Sequence, residues 1–244
     1  MIDNSTKDKL ENETPHFGNT LLYAVADLKR YSTIVVDPPW AYGIWGSGSA
    51  KALVQGDANK PVPLPYSSMT IEQIKALPLK SLANENCELY LWTTQKYLPD
   101  AFEVINAWGF KYCQTLTWCK KPMGKGQGGV YCPTTEFLIL ARRGKMPKVE
   151  RIDTTWWEVK RQMKHSKKPE FFQDLIERVS EAPRLEMFAR REREGWDVFG
   201  NEVNNSIDLE RYRSISYNVT AMSSGGFGTT HYQNITNDNR KHKR

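Results

Sequence analysis

Short apolar runs alternate along the chain with stretches that have helical spacing, and this alternation predicts an α/β fold. Strands are predicted where β-branched and aromatic residues cluster, over 33–36, 88–93, 111–119, 136–141, 184–188 and 196–199. Apolar residues three or four positions apart predict helices over 71–77, 98–108 and 169–181. Strands that alternate with helices favour a mostly parallel sheet with helices on both faces.

The two ends of the chain are polar and lack this periodicity. We expect residues 1–20 to form a mobile arm and residues 21–204 to form a single domain. Asn, Ser, Thr and Gly dominate residues 205–244, which we expect to be a largely disordered tail. The glycine-rich segment 41–64 is expected to be an irregular loop, and its place after the first strand suggests a substrate lid.

Charge favours a polyanionic partner. The net charge is +6 and the pI is about 9.0, and residues 111–168 hold fourteen Lys and Arg against four Asp and Glu. Glycine and tryptophan interleave with these charges, as is typical of a nucleic-acid track. A solvated surface is the alternative interpretation.

The cysteines point to a reducing compartment. Cys87, Cys113, Cys119 and Cys132 form no CxxC pair and do not cluster with histidines, so a zinc site is not expected. The chain shows neither an apolar stretch of membrane-spanning length nor a signal-peptide pattern. We therefore expect a soluble protein of the cytoplasm.

The segment Asp37-Pro38-Pro39-Trp40 follows the first strand directly. The two prolines must end that strand, because neither has an N–H for the ladder. An exocyclic amino group of a nucleobase needs two acceptors, which the Asp37 carboxylate and the Pro38 carbonyl can supply. The indole of Trp40 offers a face on which a base can stack. The alternative is an ordinary strand-ending turn with a core tryptophan.

Two other positions can bind parts of a nucleoside ligand. Lys168 precedes the proline that opens a helix, so its charge lies beside a helix N-terminus, where anions bind. Gly200-Asn201-Glu202 can approach a ribose closely, although such a turn is also common without a ligand. Asp27 can approach the pocket of Asp37 or serve as a surface cap.

Several spaced motifs together carry a family resemblance. In chain order they are Val35-Val36-Asp37-Pro38-Pro39-Trp40, Pro65-Tyr66-Ser67-Ser68-Met69, Leu89-Tyr90-Leu91-Trp92-Thr93, Trp108-Gly109-Phe110, Thr117-Trp118-Cys119-Lys120, His165-Ser166-Lys167-Lys168-Pro169-Glu170, Leu185-Glu186-Met187-Phe188-Ala189-Arg190, Gly195-Trp196-Asp197 and Gly200-Asn201-Glu202. Over 31–203 the chain resembles the MT-A-type adenine-N6 methyltransferases, which use S-adenosylmethionine. The resemblance is strongest to the bacterial and phage DNA adenine methyltransferases of that family.

The resemblance implies a Rossmann-like fold of permuted order, with the catalytic strand first and the main cofactor strand late. It assigns catalysis to Asp37, Pro38, Pro39 and Trp40. It assigns S-adenosylmethionine binding to Lys168, Arg190, Asn201 and Glu202. We also expect Asp37, and Asp27 if it approaches the same pocket, on the cofactor side. It places Tyr66, Trp92, Lys120, Tyr131 and Glu136 on the substrate side.

The chain also departs from the family pattern. Glu192 and Arg193 stand where the eukaryotic pattern has a His and an Asn. The chain shows no separate RNA-recognition module, and this favours DNA as the substrate. Two alternatives stay open: methylation of RNA adenosine, and a catalytically silent subunit that binds nucleic acid. In either case, assembly with a second copy of the chain or with a partner subunit also stays open. We expect the protein to act in a bacterial or phage-infected cell.

Overall fold

The computed structural model describes residues 28–41, 53–55, 61–63, 68–121, 130–145, 150–161 and 167–214, with only the backbone of 53–55 and 61–63. The expected N-terminal arm, most of the expected lid segment and the end of the tail lie outside the described residues. Asp27 and Tyr66 also lie outside them.

Nine strands are described, seven of them in one sheet. They are β1 (Tyr31–Val36), β2 (Leu53–Gln55), β3 (Pro61–Pro63), β4 (Ala83–Thr93), β5 (Lys111–Lys121), β6 (Thr135–Arg143), β7 (Trp156–Lys160), β8 (Arg184–Met187) and β9 (Trp196–Phe199). The large sheet has the order β7-β5-β6-β4-β1-β8-β9, and β2 and β3 form a separate antiparallel pair. This pair corrects the expectation that 41–64 lacks regular structure.

The large sheet is mixed rather than uniformly parallel. β6 runs antiparallel to β4 and to β5, whereas the pairings of β1, β7, β8 and β9 are parallel. β5 and β6 are joined by the glycine-rich residues 122–134, a composition that disfavours the crossover helix needed between parallel strands. The turn back reverses the chain and brings the start of β6 to the same edge as the ends of β1 and β4.

The helices between the strands, in the described residues, are α1 (Ile71–Lys75), α2 (Leu79–Leu82), α3 (Leu98–Ala107) and α4 (Glu170–Val179). A capping box stabilises the start of α1: the Gln73 N–H donates to Thr70 Oγ1 at 3.2 Å and the Thr70 N–H donates to Gln73 Oε1 at 2.8 Å. None of the helices in the described residues combines the length and the apolar content needed to cross a membrane.

Successive residues of β1 point to opposite faces of the sheet and so belong to two apolar clusters. Ile34 and Val36 pack in the cluster that contains the buried residues of α1, α2 and α3. Val35 packs on the opposite face with Phe172 and Ile176 of α4. Helices on both faces were expected, and the structure confirms them.

The packed structure extends beyond the boundary expected at residue 204. Residues 209–214 are helical, and Leu209 and Tyr212 are buried in the core. The Tyr212 hydroxyl donates to the Lys29 carbonyl at 2.7 Å, and the Ser206 N–H donates to the Val198 carbonyl at 2.8 Å. This segment packs against the start of the domain and lines edge strand β9, so the disordered tail was predicted to begin too early.

Candidate active site

A cavity of about 500 Å³ lies at the edge of the sheet where β1, β8 and β9 end. Its walls include the whole Asp37-Pro38-Pro39-Trp40 segment, Lys168 and Glu136, together with Arg190, Gly200, Asn201 and Glu202. Ligands of open α/β sheets bind at this end of the strands, and the volume suits a nucleoside-sized molecule. Residues from five separately predicted parts of the sequence therefore meet at one cavity.

Backbone hydrogen bonds fix the Asp37–Trp40 segment. The Trp40 N–H donates to the Pro38 carbonyl at 2.8 Å, and the Met69 N–H donates to the Pro39 carbonyl at 2.9 Å. A carbonyl oxygen has two lone pairs, so the Pro38 carbonyl keeps one acceptor position besides the one that Trp40 uses. The two-acceptor arrangement predicted for Asp37 and Pro38 is compatible with this turn.

Trp40 is held by the core as well as lining the cavity. Its side chain is 2 % exposed, and its Nε1 donates to the Trp92 carbonyl at 3.0 Å. One face of the indole stacks on Tyr97, with ring centroids 5.2 Å apart and planes 15° apart. Only the remaining face or edge is left for a base, so the core-tryptophan interpretation holds and the stacking role stays a prediction.

Four side chains of alternating charge form a row along one wall. The Lys120 ammonium lies 2.6 Å from Glu136, which lies 3.3 Å from Lys168, which in turn lies 2.9 Å from Asp37. Each side chain is only 15–24 % exposed. Solvent therefore screens these contacts weakly.

The row sets the ionisation of its two carboxyl groups. Burial raises the pKa of Asp37 above its ordinary value, while Lys168 opposes the rise. Burial also acts to raise the pKa of Glu136, but Lys168 and Lys120 together hold it below its ordinary value. Lys168 is thus the cation shared by the two carboxyl groups, and it favours the ionised form of each.

The opposite wall comes from the segments that follow β8 and β9. Arg190 Nε lies 3.7 Å from Glu202 Oε1, and Asn201 stands beside them in the lining. A Cβ added at Gly200 would lie 2.1 Å from the Ala189 carbonyl oxygen, so only glycine fits there. The predicted Gly-Asn-Glu turn therefore brings bare backbone and polar side chains into the cavity.

The departure from the family pattern has a structural explanation. Arg193 turns onto α4, where it lies 2.6 Å from Asp174 and 2.7 Å from Glu177. Glu192 accepts a hydrogen bond from the Asn204 side chain at 3.0 Å. Arg193 therefore attaches its segment to α4, and Glu192 attaches the same segment to Asn204.

Of the four predicted substrate-side residues that the structure describes, three do not line the main cavity: Trp92, Lys120 and Tyr131. Trp92 is 3 % exposed and Tyr131 is 88 % exposed. The Lys168 ammonium lies 5.4 Å above the Trp92 ring, so Trp92 supports the wall from behind. Lys120 reaches the site through its ion pair with Glu136.

Sequence reasoning missed two residues beside the site. Glu186 of β8 lies next to Val35 of β1 and accepts a hydrogen bond from Gln173 at 2.6 Å. Phe188 has a φ of 63°, a conformation that is uncommon outside glycine and that clusters at functional sites. The position of a charged residue between the apolar residues Leu185 and Met187 was the available signal for Glu186.

Comparison with known proteins gives a family match and individual relatives. The MT-A70 family profile matches residues 31–202. The type II methyltransferase M.MunI of a Mycoplasma species is 27 % identical over 201 residues, which cover 78 % of this chain and 85 % of that protein. The N(6)-adenine-specific methyltransferase METTL4 of Mus musculus is 29 % identical over 199 residues, which cover 72 % of this chain and 38 % of that protein. Since the family match includes every strand of the large sheet and the whole cavity wall, the chain belongs to the MT-A70 family.

Proposed function

We propose that this protein transfers a methyl group from S-adenosylmethionine to the N6 amino group of adenine in DNA. The observation that carries the proposal is the position of Asp37, at the end of β1 in the cavity wall and 2.9 Å from Lys168. The relatives' names support the reaction, since one is an N(6)-adenine-specific methyltransferase and the other a type II methyltransferase.

The cavity walls fit S-adenosylmethionine. Lys168 precedes α4 and offers a cation for the carboxylate of the cofactor. Arg190, Asn201 and Glu202 offer a polar wall for its sugar and base, and Gly200 lets the backbone of this wall pack closely against Ala189. When bound, S-adenosylmethionine supplies a methyl group on a positively charged sulfur, which is already activated for transfer.

The chain itself contributes orientation and electrostatics. An oxygen of the Asp37 carboxyl group accepts one N–H of the adenine amino group, and the Pro38 carbonyl accepts the other through its remaining lone pair. This leaves the nitrogen lone pair directed away from the two acceptors. Trp40 fixes the turn through the Trp92 carbonyl and Tyr97. Positioning of this kind and preorganised acceptors account for most of the expected rate.

We also infer that the fold is Rossmann-like with a permuted order. The strand that carries Asp37 comes first in the chain, while β8 and β9, which lead to Arg190 and Glu202, come last. The parallel core β4-β1-β8-β9 is compatible with this order.

DNA is favoured as the polymer by the basic residues of 111–168 and by the type II methyltransferase relative. The test is transfer of labelled methyl to double-stranded DNA, single-stranded DNA and RNA side by side, followed by mass spectrometry of the modified base. N6-methyladenine in DNA that is absent with the Asp37→Asn variant is the expected result. Label in RNA alone would overturn the choice of polymer, and full activity of Asp37→Asn would overturn the site.

A further inference from the structure

Behind the main cavity lies a smaller one of about 40 Å³, between β8 and α4. Four residues line both cavities and therefore separate the two spaces: Asp37, Lys168, Phe188 and Arg190. Glu186 lines only the smaller one. A carboxylate thus lies directly behind the residues that face the ligand.

A second row, made of hydrogen bonds and separate from the charged row of the main cavity, leads from Glu186 to the start of α4. Gln173 of α4 donates from Nε2 to Glu186 Oε2 at 2.6 Å. The oxygen of the same amide accepts from Arg191 Nη2. Arg191 Nη1 in turn binds Glu170, the first residue of α4. Both ends of the Gln173 amide are therefore engaged, and its orientation is fixed.

This row joins the two segments that carry the cations of the main cavity. Lys168 lies two residues before Glu170, and Arg190 lies immediately before Arg191. The distance between the two cations therefore depends on how firmly α4 is attached to the segment after β8. The hydrogen bond from Gln173 to Glu186 strengthens that attachment, beside the ion pairs that Arg193 makes with α4.

We propose that Glu186 is a positioning residue that fixes Lys168 and Arg190 for the cofactor, and that its ionised form favours cofactor binding. This inference rests on the proposed use of S-adenosylmethionine. Hydrogen bonds to an ionised acceptor are roughly twice as strong as neutral ones. Protonation of Glu186 should therefore loosen the row and weaken binding.

The groups that face Glu186 place its titration near neutral pH. Burial raises the pKa of Glu186 to about 7, and the charge of Asp37 at the end of β1 adds to the rise. Gln173 of α4 opposes it, as do Arg191 and Arg193 from the segment after β8. The Glu186 carboxyl therefore changes its charge in the near-neutral pH range in which the proposed reaction takes place.

The test is the affinity for S-adenosylmethionine, measured by calorimetry at pH 6, 7 and 8. Wild type is expected to bind about fivefold more tightly at pH 8 than at pH 6. Glu186→Gln keeps the shape and an acceptor but never ionises. It should bind about as weakly at pH 8 as wild type does at pH 6, with a flatter profile.

Glu150→Gln is the matched control, because Glu150 binds Arg178 of the same helix at 3.2 Å through an exposed contact. Its profile should follow wild type. The melting temperature separates positioning from folding: Glu186→Gln should melt no lower than wild type at pH 8, since it removes a buried charge.

Each outcome decides the question. A Glu186→Gln profile equal to wild type would overturn the inference and leave the proposed function intact. Weak binding together with a lower melting temperature at pH 8 would also overturn it, in favour of a structural role. Absence of binding by wild type at every pH would instead overturn the proposed function.

Discussion

Replacing Glu186 by glutamine is expected to stabilise the fold, and to do so more strongly as the pH rises. The pKa of Glu186 is raised from an ordinary value of 4.5 to about 7, chiefly by burial. A tenfold change in an ionisation constant corresponds to about 1.4 kcal/mol. The ionised carboxylate therefore lowers the free energy of unfolding by about 3 kcal/mol above pH 7.

The direction follows from the proton balance. Below about pH 4.5 the carboxyl of Glu186 is protonated in both the folded and the unfolded chain, so it does not change the free energy of unfolding there. Between pH 4.5 and 7 the folded chain keeps a proton that the unfolded chain has lost. Stability in wild type therefore falls as the pH rises through this window, and Glu186→Gln removes that fall.

The assay is urea unfolding of wild type and Glu186→Gln at pH 5, 6, 7 and 8. The difference in free energy of unfolding between the two proteins should grow by about 2–3 kcal/mol in favour of the variant from pH 5 to pH 8. Glu150→Gln should show a difference that does not change with pH. A constant difference for Glu186→Gln, or one that favours wild type at pH 8, would refute the reasoning.

Three further substitutions test the main cavity. Asp37→Asn should slow methyl transfer by at least about 100-fold while cofactor affinity changes far less; labelled methyl transfer within threefold of wild type would contradict this. Trp40→Phe leaves the buried Trp92 carbonyl without its donor and should lower the free energy of unfolding by about 2 kcal/mol; an unchanged urea midpoint would show that this contact is not needed. Gly200→Ala brings a Cβ against the Ala189 carbonyl and should cost about 1–3 kcal/mol of stability and weaken cofactor binding in calorimetry. Wild-type values for both quantities would contradict the close approach at Gly200.

The residues that local chemistry fixes were predictable from sequence. Two prolines must end β1, and this places Asp37 at the edge of the sheet whatever surrounds it. A proline before α4 likewise places Lys168 at a helix start. The run from Thr135 onwards is apolar enough to predict a strand, so Glu136 at its beginning was also expected near a strand end.

Features that depend on distant partners were not predictable. The direction of β6 is decided by its pairing with β4 and β5, which lie on either side of it. β7 alternates between exposed and half-buried positions, so its apolar pattern is weak. Leu209 and Tyr212 are two buried residues in an otherwise polar segment, and their burial comes from contacts with the far end of the chain.

The same limit applies to Trp40. Its residue type and its place after the prolines predicted a flat face at the cavity. The sequence holds no information about which face Tyr97 would cover, because that contact joins β1 to the turn before α3.

The row of Lys120, Glu136, Lys168 and Asp37 contains two positive and two negative charges, so that wall of the cavity is close to electrically neutral. A phosphate group gains little attraction there and would meet two carboxylates. An uncharged nucleobase meets no such penalty. The wall therefore gives the sugar–phosphate backbone no net attraction into the cavity, and of its four residues Lys168, beside the start of α4, is the one suited to a single anion.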